Sequence, residues 1–191
     1  MNANPSSQSG AGVAIQNGGT VGLSQPGHCY FIQSGRFEIY AMVGGRRIYL
    51  AEVSAGQSLL CAPCNQGQII AVAPEGGIVI PQAANAMSVP VLAAMSDAWV
   101  LSLSEAVSRN GQARPIVQAM DSGMAQAAPQ GKIIHAARGV LWVISQGLDL
   151  HFMGSTEPSQ MVPISPALWA NVGANGALDV VATELLSLIH I

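Results

Sequence analysis

The sequence is poor in charge: 9% of its 191 residues are Asp, Glu, Lys or Arg, against roughly a quarter in an ordinary soluble domain. Seven basic residues stand against ten acidic ones, for a net charge of −3. No basic patch is present to track a phosphate backbone, which excludes nucleic acid as an expected partner. Long apolar runs are missing too. Stretches such as Ile69–Ala73 and Val140–Ile144 are five residues long, where a membrane span needs about 18 or more. The three cysteines form an odd set, and no export signal precedes them, so a disulfide framework is not expected and a reducing cytoplasm is the default. Neither a Gly-rich phosphate loop ending in Lys-Ser/Thr nor a Gly-x-Ser-x-Gly elbow occurs. Disorder of the whole chain is excluded because half of it is hydrophobic.

What is there is a series of short apolar segments cut by 21 glycines and 11 prolines. His28–Ile32, Phe37–Met42 and Arg46–Leu50 read as strands, the first two divided at Gly35 and the last two by a Gly44-Gly45 hairpin turn. Ser58–Cys61, Gln68–Ala73 and Gly77–Ile80 follow at the spacing of a sandwich or barrel. Leu92, Met95, Trp99, Leu103 and Val107 then recur at helical period, and Asn110-Gly111 is a helix stop. A second β-rich block, broken by Pro158, Pro163 and Pro166, runs from Lys132 to Leu185. The expected division is a flexible tail over 1–20, a first β-roll over 21–87, a connecting helix over 88–110 and a second, incomplete β-roll over 111–185. The class is mainly β, a tandem double-stranded β-helix or jelly roll.

The two blocks echo each other. Tyr30-Phe31-Ile32-Gln33-Ser34-Gly35 matches Trp142-Val143-Ile144-Ser145-Gln146-Gly147. After a one-residue gap, Phe37–Met42 matches Leu148–Met153. This implies duplication of one unit. The last six residues, Leu186–Ile191, read as the translation of a transposon end used in sequencing-library adapters. The expectation is that they are an artefact and that the natural protein continues beyond Leu185.

The form apolar–x–x–Gly–x–acidic–apolar, a hairpin, then apolar–x–x–x–Gly over Tyr30–Gly56 resembles the opening of cyclic-nucleotide-binding domains. Gly139–Val143, Val162–Trp169 and Thr183-Glu184-Leu185, with Asp97–Val100 and Leu103-Ser104, are similar to the N-terminal regions of ABC exporters from bacteriocin clusters of the nitrile-hydratase-leader type. That resemblance covers roughly Leu23–Leu185. It implies a cytoplasmic accessory region, at the inner face of the bacterial inner membrane, ahead of membrane-spanning and ATP-binding parts that would lie downstream. It further implies partners by protein contact: the transporter core, a second exporter subunit or the leader of the cargo peptide. The alternative is a stand-alone cyclic-nucleotide-like or cupin-like sensor of a small ligand.

In cyclic-nucleotide-binding domains a Gly-Glu pair and a nearby Arg hold the ribose and phosphate. The matching stretch here, Gly56–Cys64, contains neither, and Ala170–Ala177 in the second block is equally uncharged. An uncompensated buried phosphate is too costly, so no cofactor is expected. Cys61-Ala62-Pro63-Cys64 is a lone CxxC followed by a strand, not the helix N-terminus that activates a redox thiol. With His28 and Cys29 it makes a weak set of zinc candidates, conditional on the hairpins bringing them together. The histidines His28, His135, His151 and His190 lack the close pair a metal-dependent cupin needs. Trp142 and Trp169 read as core residues. Arg46-Arg47 reads as a solvated pair, or as a docking contact for an acidic partner. No catalytic residue is expected.

Overall fold

The structure, a computed structural model, describes residues 11–61, 67–109 and 118–189, with side chains to residue 186. It divides into two units, Met1–Ser88 and Val89–Ile191.

The first unit is an antiparallel roll built around one long strand. Its strands are β1 (Val13–Ile15), β2 (Gly19–Gly22), β3 (His28–Val43), β4 (Arg46–Ser54), β5 (Ser58–Leu60), β6 (Gln68–Ala73) and β7 (Gly77–Ala83). The first half of β3 pairs with β5 and β7, and its second half with β4 and β6. β1 extends the β7 edge and β2 the β6 edge. The bend lies at Gly35, which sits at φ +94° opposite Gly77; a Cβ there would meet the Gly76 carbonyl oxygen at 2.5 Å. Glycine is therefore required by the approach of two backbones inside a continuous strand. The expected turn at Gly35 is corrected accordingly. The Gly44-Gly45 turn is as read, both residues at positive φ in a two-residue hairpin loop. The core gathers Leu23, Cys29, Ile32, Phe37, Ile39, Leu59, Ala71 and Val79, all essentially inaccessible. The expected tail over 1–20 is corrected where it is described, because Val13–Ile15 is strand and pairs with β7. Its Gly- and Asn-rich flanks concealed a strand whose pairing comes from far along the chain.

The second unit opens with α1 (Val89–Arg109), within one residue of the expected bounds. By length and composition α1, with mean hydropathy 1.2 over its most apolar window, would suffice to cross a membrane; counting uninterrupted apolar runs did not reveal this. In the fold it buries Ala93, Val100, Ser104 and Ala106, and Val100 packs with Leu168 and Val140. The strands are β8 (Gln118–Met120), β9 (Gly123–Ala128), β10 (Ile133–Ala136), β11 (Leu141–Ser145), β12 (Leu150–Phe152), β13 (Met161–Ile164), β14 (Trp169–Val172) and β15 (Gly176–Val181). They form two four-stranded sheets in the orders β12-β14-β10-β8 and β13-β11-β15-β9. Ile134, Val143, Leu150, Ile164, Val172 and Leu178 fill the core. A short helix, α2 (Thr183–Ile189), covers four of the six residues expected to be adapter.

The second roll repeats the pairing of the first except at β4. Its order β9-β15-β11-β13 repeats β1-β7-β3-β5, and β10-β14-β12 repeats β2-β6-β3. What stands in place of β4 is one bridge, Leu150 to Ser159. β9 lies ahead of the block expected to begin at Lys132. Its sequence, Gly-Met-Ala-Gln-Ala-Ala, carries no strand signal and is held by pairing with β15.

Register also corrects the echo. Ile32 pairs with Val79 and Val143 with Val180, all four buried, while Phe37 and Leu148 are both core. Ile32 thus corresponds to Val143, and the copies align without a gap. Gly35 and Gly147 stand one residue apart at the same crossing between sheets.

One carboxylate secures the weak strand. Asp179 Oδ1 accepts the N–H of Ala125 at 2.8 Å and Oδ2 accepts Gln146 Nε2 at 2.9 Å. Ala125 is a non-glycine residue at φ +50°, a conformation that needs such support. The Ala125 N–H, then the Gln146 amide, hold the Asp179 carboxyl below its ordinary range. A lowered folded pKa means the unfolded chain binds the proton more tightly. The stabilisation is thus complete above the unfolded value, about 3.9, and is lost as pH falls through the folded one. Asp179→Asn should lower the melting temperature at neutral pH and flatten its decline in acid. A variant that keeps the wild-type acid limb would show that the group does not carry it.

Candidate functional sites: two strand corners and a hairpin

In the first roll, the candidate ligands sit at the corner after β5. The Cys61 N–H donates to the His28 carbonyl oxygen at 3.2 Å, and Cys29 pairs across the ladder with Leu60. The backbones of three of the four candidates, His28, Cys29 and Cys61, are therefore neighbours at this corner. Cys64 lies outside the described residues. Cys29 is buried and donates its S–H to the Gln82 carbonyl at 3.5 Å, with the Met87 sulfur 4.0 Å away. Burial pushes both thiols up, only partly offset at Cys61 by a hydrogen bond from the Gln25 backbone. Burial thus works against the thiolate form that a nucleophile or zinc ligand requires. His28 Nδ1 lies 3.1 Å from the Pro26 carbonyl. Among the described residues no three His, Cys, Asp or Glu side chains converge. His135 and His151 stand on strands to either side of β14, and His151 Nδ1 lies 3.0 Å from the Ser155 carbonyl. His190 is outside the described residues.

In the second roll the equivalent corner lies between β13 and β14, one strand earlier than the Ala170–Ala177 stretch expected to match. Ser165, Pro166, Ala167 and Leu168 turn it. The Ser165 hydroxyl donates to Ser104 Oγ on α1 at 2.7 Å. It accepts the Leu168 N–H at 3.1 Å, while the Ala167 N–H is shared between Ser104 Oγ at 3.3 Å and Ser165 Oγ at 3.4 Å. Ser165 is wholly buried and Ser104 nearly so. Backbone N–H groups that elsewhere make an anion nest are here satisfied from within, by a helix. Beside them lies an open groove of about 460 Å³ lined by Leu101, Ser104, Glu105, Ser108, Arg109, Pro166 and Ala167. Arg109 lies 3.8 Å from Glu105 one helical turn away. The sequence reading missed this cation because it looked for a basic residue inside the strand corner, whereas the fold supplies one from α1.

Trp142 packs with Leu168 and Val140, and its Nε1–H donates to Thr183 Oγ1 at 2.9 Å; the Thr183 hydroxyl in turn donates to Asp97. This ties α2, β11 and α1 together. Trp169 is only half-buried, because Ala170 and Val172 beside it on β14 point into the core and it takes the other face. Trp142 is half-buried as well, so the core assignment is corrected to partly buried for both.

The third feature is on the outside of the first roll. Tyr40 and Tyr49, paired across β3 and β4, meet edge to face at 5.6 Å, and the Arg47 guanidinium lies 3.7 Å over the Tyr40 ring. The Tyr40 hydroxyl donates to Glu38 at 2.5 Å, which is the first reason its acidity is weakened. Arg36 is matched by Glu52 at 3.1 Å and by Glu38 at 4.0 Å.

No family model matches the sequence, and no curated protein matches it. Similar solved structures include the regulatory domain of Toxoplasma gondii PKA co-crystallised with cAMP, at 10% identity and a TM-score of 0.35, covering 93% of this chain and 80% of that one. Reduced CprK in absence of any ligand matches at 11% identity and 0.33, over 53% of this chain and about half (49%) of its own length. A cupin 2 conserved barrel domain protein from Leptotrichia buccalis matches at 13% and 0.25, over 90% and 74%.

Proposed function

We propose that this chain is a non-catalytic regulatory module, the accessory region of a bacterial peptide exporter at the cytoplasmic face of the membrane, and that it acts by protein contact. The observation that carries this reading is the β13–β14 corner. Its backbone donors are taken by Ser104 and Ser165, so an incoming phosphate would have to displace buried hydroxyls already at hydrogen-bond distance. The matching stretch of the first roll, Gly56–Cys64, contains no Lys or Arg. The exporter assignment rests on the sequence resemblance over Leu23–Leu185. Its partners in that reading are the transporter core, a second subunit or a cargo leader. The continuous gene tests it: codons beyond Leu185 should encode membrane-spanning helices and then a phosphate-binding loop ending in Lys-Ser/Thr. A stop codon directly after the second roll would contradict the exporter reading and favour a stand-alone sensor.

A further inference from the structure

The basic charge of the first roll is concentrated on one hairpin. Among residues 1–88 the basic side chains are Arg36, Arg46 and Arg47, all on the β3–β4 hairpin. Arg36 is neutralised by Glu38 and Glu52. Arg46 and Arg47 have no carboxylate within ion-pair distance among the described residues, although the chain as a whole is acidic. Arg47 is fixed in place by its seat on Tyr40, so binding an anion costs it little further ordering. Between and beside the two cations stand exposed apolar side chains, Val43, Ile48 and Tyr49. Finally, β4 pairs with β3 alone, and its first four residues are exposed. Natural edge strands of this length are usually shielded by their own charges, and the charges in its exposed first four residues are both positive.

We propose that the Arg46–Tyr49 end of the β4 edge is a docking strip for an extended acidic peptide segment that also carries apolar residues. Arg46 and Arg47 are consecutive on β4 and take opposite faces of the sheet, so two adjacent carboxylates of an added strand would meet one arginine each, and an adjacent apolar pair would lie against Ile48 and Tyr49, the pattern of strand addition to a sheet edge. Two cations are too few to hold a nucleic-acid backbone. The proposal rests on the contact reading above and specifies the partner's chemistry.

The test uses the full chain and a fluorescein-labelled peptide repeating glutamate-glutamate-valine-valine, with a lysine-for-glutamate peptide as control, read by anisotropy. The glutamate peptide should bind, more weakly as salt rises, and the lysine peptide should not. Arg46→Glu with Arg47→Glu should weaken binding roughly tenfold or more, with a cooperative thermal melt retained because the change removes one surface contact, Arg47 on Tyr40, and no core side chain. Arg36→Gln should change little. Equal binding of both peptides, or an unaltered affinity in the double variant, would overturn the proposal. Binding to phosphatidylserine vesicles but not to the peptide, lost in the same double variant, would overturn it in favour of a membrane surface. Failure here in a chain that also ignores cyclic nucleotides would sink this strip while leaving the contact reading in place.

Discussion

Phe37→Ala should destabilise the first roll by about 3–5 kcal/mol, the range for removing a fully buried aromatic side chain. Phe37 is wholly inaccessible and follows the bend of β3 by two residues. Its ring lies so close to Gly77 that a Cβ there would meet it at 3.0 Å. The cavity cannot close readily, because the Gly35–Gly77 crossing already holds the two backbones at their limit. Denaturant unfolding measures the effect. A loss below about 1 kcal/mol would mean the ring is not a packing element of the crossing.

The second large effect is expected at the β13–β14 corner. Ser165→Ala removes the acceptor for the Leu168 N–H and the donor to Ser104, and leaves the Ala167 N–H with Ser104 alone. A buried donor left without a partner costs about 1–3 kcal/mol, and two groups are affected. Ser104→Ala should cost less. The double variant should fall short of the sum of the two, because both hydroxyls serve one network. Strict additivity would show that α1 does not close the corner through these hydroxyls.

Much of the fold is legible in the residues. Alternation in Phe37–Met42 and the Gly44-Gly45 turn locate the hairpin, and the period from Leu92 to Val107 locates α1 within one residue at each end. The misreadings share a cause. Val13–Ile15 and Gly123–Ala128 become strands because β7 and β15 offer them an edge, a contact far away in sequence. Gly35 looks like a turn because local reading cannot distinguish a reversal from a bend forced by a facing backbone. The echo was visible but misaligned by one residue, since glycine was matched to glycine when burial, in Ile32 and Val143, sets the register.

The sites were legible in part for a different reason. Spacing raised Cys61 and Cys64 as a motif, and the hairpins do make the backbones of His28, Cys29 and Cys61 neighbours. Whether a thiol is a ligand depends on its solvation, which the sequence does not display. Ser104 and Ser165, separated by most of the second unit, carry no motif at all. Their signal is a hydroxyl on the buried stripe of a helix, which must find a partner. Arg46 and Arg47 were visible as a pair, but their lack of carboxylate partners emerges only from the placement of Glu38 and Glu52 on Arg36.

The most direct test of the contact reading is isothermal titration of the 191-residue chain with cAMP and with cGMP. Micromolar affinity needs about 8 kcal/mol in total, and the corner's hydroxyls and N–H groups are already committed to one another. No saturable heat is expected at concentrations of about tens of micromolar. Saturable binding that is lost in Arg109→Gln would contradict the account, and would show that α1 furnishes a ligand site rather than closing one.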